Sequence, residues 1–211
     1  MDIPKLIAAQ RAYFETGATR DIAVRRRALQ ALQASVRRHE EVLCSALRAD
    51  LGKSVVESYM TEIGIVAGEI RFALRNLKRW MRPRRVPTPL FAWPARSRVR
   101  YEPLGVVLVV APWNYPLQLT LLPLVGALAA GNCVVLKPSP YTSRVARVMA
   151  EMIVSVNRMG DGEETELVLS NGTDSVICRI NTTGWQRCRF PRPLHFNKGT
   201  SVLSLKIGKP G

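Results

Sequence analysis

An uncharged stretch of thirty-four residues, 103–136, dominates the hydrophobic pattern of this chain. It holds two short runs rich in valine, 106–111 and 133–136, on either side of an apolar segment, 117–130. The two runs predict strands buried on both faces, as in a parallel sheet. Pro116 suits the first turn of a helix and Gly131 suits its end, so the segment between the runs predicts a helix. Together they predict a β-α-β unit.

Amphipathic helices are predicted on both sides of this unit. They cover residues 3–15, 21–50 and 60–80 before it and 141–154 after it. Gly17, Gly52 and Pro83 mark the ends of the first three helices, because glycine and proline commonly end or follow a helix. Amphipathic spacing is what burial in a core requires, so these helices are predicted to be packing elements.

Residues 82–101 differ from the rest of the chain because four prolines alternate with six arginines there. Such a segment cannot form a helix interior. Phe91 and Trp93 beside these arginines leave open an alternative in which the segment stacks on single-stranded nucleic acid. The regular arrangement of aromatic residues that would support this alternative is missing, and we expect no nucleic-acid partner.

The formal net charge of +15 arises mostly from arginines spread along the predicted helices. Such a charge would favour loose contact with nucleic acid or anionic lipid, but because the arginines are scattered along helices we expect a solvated basic surface instead. The four cysteines and two histidines show no zinc-binding spacing, so no metal is expected. No apolar core follows a basic N-terminus, which predicts a cytoplasmic chain with reduced thiols.

Ligands of doubly wound sheets bind at the carboxyl ends of the strands, which is where Trp113, Asn114 and Lys137 lie. The segments P-L-G-V-V-L-V-V-A-P-W-N-Y-P and A-L-A-A-G-N-C-V-V-L-K-P-S closely resemble the amino-terminal half of aldehyde dehydrogenases. D-L-G-K-S at 50–54 and Y-M-T-E-I at 59–63 resemble the shorter branch of that family, which includes class 3 and fatty-aldehyde enzymes. The resemblance covers roughly residues 1–153.

The resemblance implies an α/β fold, with N-terminal helices followed by half of a Rossmann-like doubly wound parallel sheet. It implies NAD- or NADP-dependent oxidation of an aldehyde to a carboxylic acid through a cysteine thioester. In the family, the segment that matches 82–101 includes a strand that reaches toward a partner subunit, and a homodimer is expected for the full-length enzymes.

The resemblance also implies roles for residues of the two turns. Asn114 would donate a hydrogen bond to the oxyanion, although an asparagine that caps the following helix is an open alternative. Pro112, Trp113 and Asn114 would contact the cofactor on its nicotinamide side. Lys137 and Ser139 would also contact the cofactor, and the lysine can meet a ribose hydroxyl or a phosphate.

Pro140 departs from the family pattern. Most relatives carry an acid at this place, which accepts hydrogen bonds from the adenosine ribose and disfavours a 2′-phosphate. Proline provides no such acceptor, so the choice between NAD and NADP stays open.

Residues 154–211 show none of the motifs with which the family continues, namely a glycine-bearing turn, a catalytic glutamate and a cysteine nucleophile. We expect a divergent or frame-shifted tail that is poorly ordered, and a chain that is inactive alone. Cys178 and Cys188 lack the local pattern of the family's nucleophile, and neither is expected to act as one.

One alternative belongs to a different class of protein. The uncharged run 103–136 could enter a bilayer, with the ten basic residues of 71–100 as its flank. Several residues inside the run are expected to divide it into pieces too short for one span. They are Pro112, Asn114, Pro116, Gln118, Pro123 and Asn132.

Overall fold

The structure is a computed structural model that describes the backbone of residues 3–158, 165–170, 175–180 and 203–205, and the side chains of residues 3–153. The described chain is mixed α/β. Its elements in chain order are α1 (Ile3–Glu15), α2 (Ile22–Arg38), α3 (Glu40–Leu51), α4 (Val55–Ser58), α5 (Gly64–Trp80), β1 (Arg84–Val86), β2 (Ser97–Val99), β3 (Val106–Val110), α6 (Pro116–Ala130), β4 (Cys133–Lys137), α7 (Ser143–Arg158), β5 (Thr165–Ser170), β6 (Ser175–Ile180) and β7 (Leu203–Leu205).

The predicted β-α-β unit is confirmed. Strands β3 and β4 pair in parallel, from Val106 opposite Cys133 to Val110 opposite Lys137. Helix α6 connects them and ends at Gly131, whose φ of 88° is the left-handed conformation that glycine adopts without strain. Strand β7 pairs with the other side of β4 in the antiparallel direction, so the three-stranded sheet is mixed.

The prediction that both strands are buried on both faces is correct for β4 and wrong for β3. Four of the five residues of β4 are buried. In contrast, the side chains of Leu108 and Val110 are each 60% exposed, whereas Val109 between them is buried. One face of β3 is therefore uncovered. Among the described residues β3 also pairs with β4 alone, so it is an edge strand.

The predicted helix 21–50 is instead two helices, α2 and α3, which meet at His39. The backbone of His39 leaves the helical region with φ −99° and ψ 9°, and its imidazole Nδ1 lies 2.8 Å from the Ser35 carbonyl oxygen. Glu40 and Glu41 then occupy the first turn of α3, where carboxylates interact favourably with the helix dipole. The apolar spacing continues across the break, and the sequence pattern therefore does not show it.

The predicted helix 60–80 also begins differently. Helices α4 and α5 are joined by a π-helical turn, Tyr59–Ile63, in which the backbone hydrogen bonds span one residue more than in an α-helix. Glu62 lies in this turn and is fully buried. A charged residue thus enters the core, on the helix face that also carries the buried Val66 and Ile70.

The core lies where α2 packs against α5, α6 and α7. Leu29, Leu32 and Val36 of α2 are buried there. The predicted apolar stripe of α7 is confirmed, since Val145, Val148, Met149 and Met152 are all buried. At the amino ends of the sheet strands, the side chain of Asn132 accepts a hydrogen bond from the Gly105 amide at 3.0 Å.

Residues 82–101 form an exposed hairpin and no α-helix, as predicted. Strands β1 and β2 pair in the antiparallel direction, and the hydroxyl of Thr88 accepts a hydrogen bond from the Ser97 amide at 2.9 Å. Phe91 at the tip is 91% exposed. A role for this hairpin at an interface stays a prediction.

Residues 156–211, which show no sustained periodicity, nevertheless contribute strands β5 and β6, an antiparallel pair, as well as β7. That the tail as a whole is divergent and poorly ordered stays a prediction. Whether the remainder of the tail is ordered lies outside the described residues, as do Cys188 and the side chain of Cys178.

Among the described helices, none combines the length and the apolar character needed to cross a bilayer. Pro123 does not divide the uncharged run as expected, because α6 continues through it. Buried leucines on both sides of Pro123, namely Leu117, Leu121 and Leu124, offset the loss of one backbone hydrogen bond.

The carboxyl end of α6 is held by Arg25 of α2. Its guanidinium donates to the Ala129 carbonyl oxygen at 3.1 Å and to the Thr19 carbonyl oxygen at 2.8 Å. Burial lowers the pKa of Arg25, an effect that the nearby carboxylate of Asp21 partly opposes. A cation at the carboxyl end of a helix interacts favourably with the helix dipole.

Gly131 packs directly against this guanidinium, and a Cβ atom there would lie 2.5 Å from Arg25. We expect Gly131→Ala to lower the free energy of unfolding by about 2–4 kcal/mol, because left-handed strain adds to the loss of Arg25 hydrogen bonds. Gly52→Ala is the matched control, since Gly52 has φ 72° and no atom within 4 Å of its Cβ position. The control should cost only about 1–2 kcal/mol of strain. Equal losses in chemical denaturation would contradict the anchoring role of Arg25.

Candidate functional site

The turns that follow β3 and β4 lie side by side at the carboxyl edge of the parallel strand pair. The Ala111 amide donates to the Lys137 carbonyl oxygen at 3.0 Å, which joins the starts of the two turns. Pro112, Trp113 and Asn114 are exposed on the first turn. Lys137 is half-buried and Ser139 is buried at the second. The structure thus brings all five predicted site residues to one edge.

The Asn114 side chain is exposed, and within the described residues its amide forms no hydrogen bond. Helix α6 begins after Tyr115 without a side-chain cap from that residue. The alternative in which Asn114 caps α6 is therefore wrong, because Glu62 occupies the helix N-terminus. The Asn114 amide stays available for an exogenous acceptor.

Glu62 caps α6 from the π-helical turn. Its Oε2 atom accepts hydrogen bonds from the amides of Leu117 at 2.8 Å and Gln118 at 3.2 Å. The first amides of a helix have no partner within the helix, and a carboxylate both satisfies them and interacts favourably with the helix dipole. The start of α6 is thereby fixed to a side chain that is fully buried.

Lys53, 8% exposed, connects Glu62 to the turn that carries Asn114. Its ammonium lies 2.5 Å from Glu62 Oε1 and donates to the Asn114 carbonyl oxygen at 3.1 Å. The same ammonium lies 4.1 Å from the ring centroid of Tyr115, within the range of a cation–π interaction. One buried cation thus holds two consecutive residues of the turn.

A second carboxylate caps α7. Asp50, near the end of α3, accepts hydrogen bonds through Oδ2 from the amides of Arg144 and Val145, both at 2.9 Å. The guanidinium of Arg144 lies 3.3 Å from the other oxygen of Asp50. The N-termini of both helices that follow the parallel strands are therefore already occupied by anions.

These occupied termini limit how a dinucleotide could fit. A pyrophosphate commonly binds at a helix N-terminus in doubly wound folds, and neither α6 nor α7 offers one. The edge does fit other parts of such a cofactor, because Trp113 presents an exposed ring on the first turn and the half-buried Lys137 lies at the start of the second. The Ser139 hydroxyl accepts a hydrogen bond from the Tyr141 amide at 3.3 Å, which stabilises the second turn.

Sequence reasoning missed Lys53, Glu62 and Asp50 as parts of the site. The segments that contain them, D-L-G-K-S and Y-M-T-E-I, indicated only family resemblance. A signal does exist in retrospect, since Glu62 directly precedes the buried Ile63 in an otherwise apolar stripe. Its hydrogen-bond partners at the start of α6 are more than fifty residues away in the chain, and the local pattern does not reveal them.

Neither cysteine whose side chain is described is suited to act as a nucleophile. Both are free thiols, Cys44 in α3 and Cys133 at the start of β4, the end opposite the site. Burial raises the pKa of Cys133 to about 11. The pKa of Cys44 is raised by burial and further by Glu40 and Glu41. Because the thiolate is the reactive form, both are unreactive near neutral pH.

A model of the aldehyde dehydrogenase family matches residues 1–161, somewhat beyond the predicted limit of residue 153. Aldehyde dehydrogenase family 3 member B1 of Homo sapiens is 48% identical over 143 residues, which are 68% of this chain and 31% of the human protein. This similarity agrees with the class 3 branch that the motifs predict. The chain spans about a third of the length of the curated relatives that it matches.

Solved structures of aldehyde dehydrogenases also match this chain. The Staphylococcus aureus AldH in its substrate-bound state matches with a TM-score of 0.71 and 42% identity, covering 74% of this chain and 34% of that one. A betaine aldehyde dehydrogenase double mutant from Staphylococcus aureus, solved in complex with NAD+, matches with a TM-score of 0.64 and 28% identity. That match covers 73% of this chain and 30% of the other.

The raised thiol pKa values predict slow alkylation of the native protein. With a pKa of about 11, roughly one Cys133 thiol in a thousand is ionised at pH 8. Iodoacetamide should therefore label Cys133 at least about a hundredfold more slowly in the native than in the denatured chain, and Cys44 should also be labelled more slowly in the native chain. Labelling of Cys133 should accelerate as the pH rises toward 11. Peptide mapping by mass spectrometry measures both sites, and rapid native labelling at pH 8 would contradict the assignment.

Proposed function

We propose that this chain, which belongs to the aldehyde dehydrogenase family, provides the oxyanion donor and part of the cofactor site for NAD- or NADP-dependent oxidation of an aldehyde to a carboxylic acid. The observation that carries the proposal is the exposed Asn114 amide, which has no hydrogen-bond partner among the described residues and lies on a turn held by buried charges. Family membership alone would leave the role of this residue open.

Asn114 would act on the oxygen of the substrate carbonyl. When a nucleophile attacks that carbonyl, negative charge develops on the oxygen, and a donor already in place stabilises it without reorganising. The backbone is held at the Asn114 carbonyl by Lys53 and, three residues later, at the start of α6 by Glu62. A side-chain amide on such a fixed backbone suits stabilisation of the transition state.

The remaining residues of the edge would bind the cofactor. A bound nicotinamide would supply the hydride acceptor for the oxidation. Pro112 and Trp113 offer exposed apolar surface for it, and the Lys137 ammonium would contact a ribose hydroxyl or a phosphate. Ser139 is buried, so its contact would use a hydroxyl that already supports the turn. Pro140 provides no acid to discriminate NAD from NADP.

The nucleophile and the general base of the reaction are expected from outside the described residues. Cys44 and Cys133 are excluded by their raised pKa values and by their places in the fold. Cys178 and Cys188 lack the family's local pattern around the nucleophile. The specific aldehyde is not determined by the residues at this edge.

The hairpin of residues 82–101 is the proposed contact surface for a second subunit in a homodimer of full-length enzymes. Leu90 and Phe91 at its tip are 89% and 91% exposed, and burying them would be favourable. The reduced thiols support a cytoplasmic location.

The 211-residue chain alone is expected to be inactive. Without a competent thiolate no thioester forms, and without a pyrophosphate seat the cofactor binds weakly at most. Incubation with a medium-chain aldehyde and NAD or NADP should give no increase in nicotinamide absorbance. Turnover abolished by Cys178→Ser or Cys188→Ser would show that the tail carries a nucleophile.

The role of Asn114 can be measured in a chimera in which residues 1–153 replace the matching segment of Staphylococcus aureus AldH. Asn114→Ala should lower kcat by about 10²–10³-fold, because the lost hydrogen bond belongs to the transition state. The KM for the cofactor should change much less. Asn76→Ala is a matched control, since the Asn76 side chain donates within α5 to Phe72 and lies outside both turns.

Two outcomes of this experiment would contradict the proposal. A chimera that folds but shows no activity with its native residues would mean that this segment does not provide a working site. An active chimera in which Asn114→Ala and Asn76→Ala behave alike would mean that Asn114 is not the oxyanion donor.

A further inference from the structure

We propose that Lys53 and Glu62 are positioning residues that set the location of the Asn114 amide for oxyanion binding. The inference rests on the proposed function. It assigns a role to two buried charges that lie in the family's motifs but for which those motifs indicated no role. Neither side chain is expected to touch the substrate, because Glu62 is fully buried and Lys53 is 8% exposed. Their effect must therefore pass through Asn114.

The backbone of Asn114 determines where its side chain lies. Among the described residues this side chain forms no hydrogen bond of its own, so its location follows from its backbone. That backbone has one polar side-chain contact, the hydrogen bond of 3.1 Å from the Lys53 ammonium to the Asn114 carbonyl oxygen. The ring of Tyr115, the next residue, lies over the same ammonium.

Lys53 is itself held in place by Glu62. Its ammonium is paired with Glu62 Oε1, and Glu62 Oε2 accepts the amides of Leu117 and Gln118. The turn from Pro112 to Tyr115 is thus tied at its end to the same ion pair that fixes the start of α6. Movement of either charge would shift the turn relative to the helix that follows it.

Oxyanion stabilisation requires a precisely placed hydrogen-bond donor. A donor must lie about 2.7–3.1 Å from the developing oxyanion, and a misplacement of about 1 Å can lower a rate by roughly a hundredfold. Asn114 lies on an exposed turn, where the chain would otherwise be mobile. The buried ion pair provides the rigidity that an exposed donor lacks.

The test uses variants that do not leave a lone charge in the core. Lys53→Met combined with Glu62→Gln removes both charges, and the glutamine can still accept from the Leu117 amide. The pair of substitutions therefore removes chiefly the contact of Lys53 with Asn114. If this double variant fails to fold, Lys53→Arg takes its place, because it keeps the ion pair and replaces the compact ammonium at the Asn114 carbonyl by a planar guanidinium.

The first measurement is a mutant cycle in the chimera described above. The double variant should lower kcat by about ten- to a hundredfold, with a much smaller change in the KM for the cofactor. In the Asn114→Ala background, the same double variant should lower kcat by less than about threefold, since there is no donor left to misplace. Lys53→Arg should show the same dependence on Asn114 with a smaller loss.

The second measurement needs no activity and uses the 211-residue chain. In ¹H–¹⁵N NMR relaxation, the double variant should increase the motion of the Asn114 backbone and side-chain amides, or Lys53→Arg should shift their resonances. The Asn132 side chain is the internal control, because its bonds to Gly105 and Ala127 involve neither charge. Protection of the Leu117 amide from hydrogen exchange should be retained.

The outcomes separate this inference from the proposed function. An equal fold-loss of kcat in both backgrounds, or unchanged Asn114 resonances, would overturn the positioning role while leaving Asn114 as the donor. A failure of Asn114→Ala itself to lower kcat would overturn the proposed function and this inference with it. A loss that depends on Asn114, together with altered Asn114 dynamics, supports both.

Discussion

The ion pair between Lys53 and Glu62 is the interaction on which the arrangement of the site depends. Removing two charges from water costs free energy unless every donor and acceptor is satisfied, and a half-satisfied buried pair is worse than an apolar one. Here Glu62 uses one oxygen for the ammonium and the other for two helix amides. Lys53 adds a backbone carbonyl and an aromatic ring. Because every group of the pair has a partner, the network joins residues 53–62 to residues 114–118, which are distant in sequence.

Charged side chains of the N-terminal helices cap helix ends at several places along the β-α-β unit. These contacts help to explain why the N-terminal helices and the sheet form one packed body. Glu62 caps the start of α6, Arg25 caps its end, and Asp50 caps the start of α7. Each charge has the sign that the adjacent helix dipole favours. These helices are therefore both packing elements and the source of capping groups. One consequence is electrostatic, since an anion such as a pyrophosphate meets carboxylates at both helix starts.

The sequence predicted the β-α-β unit because its signals are local: a charge-free run, a proline at the helix start and Gly131 at its end. The motifs also located Asn114 and Lys137 correctly at the edge. What the sequence did not reveal depends on tertiary contacts. The break at His39 leaves the apolar spacing intact, and the partners of the Glu62 carboxylate are Lys53 and the amides of residues 117 and 118. The exposed face of β3 depends on which elements pack over that face, and a single strand's composition does not encode its neighbours.

In the proposed function, the residues that hold Asn114 and the residues that react with its ligand lie in different parts of the enzyme. The described side chains that bond to Asn114 and to the start of α6 are Lys53 and Glu62, within one continuous segment with the turn, while the Lys137 carbonyl bonds to the start of the turn. The free thiols of the described part are held protonated by burial, one of them at the opposite end of β4. The position of the proposed donor, Asn114, is therefore set independently of the position of the nucleophile. A donor fixed by its own segment needs no reorganisation when the reacting groups arrive, which is the condition under which oxyanion stabilisation contributes most to the rate.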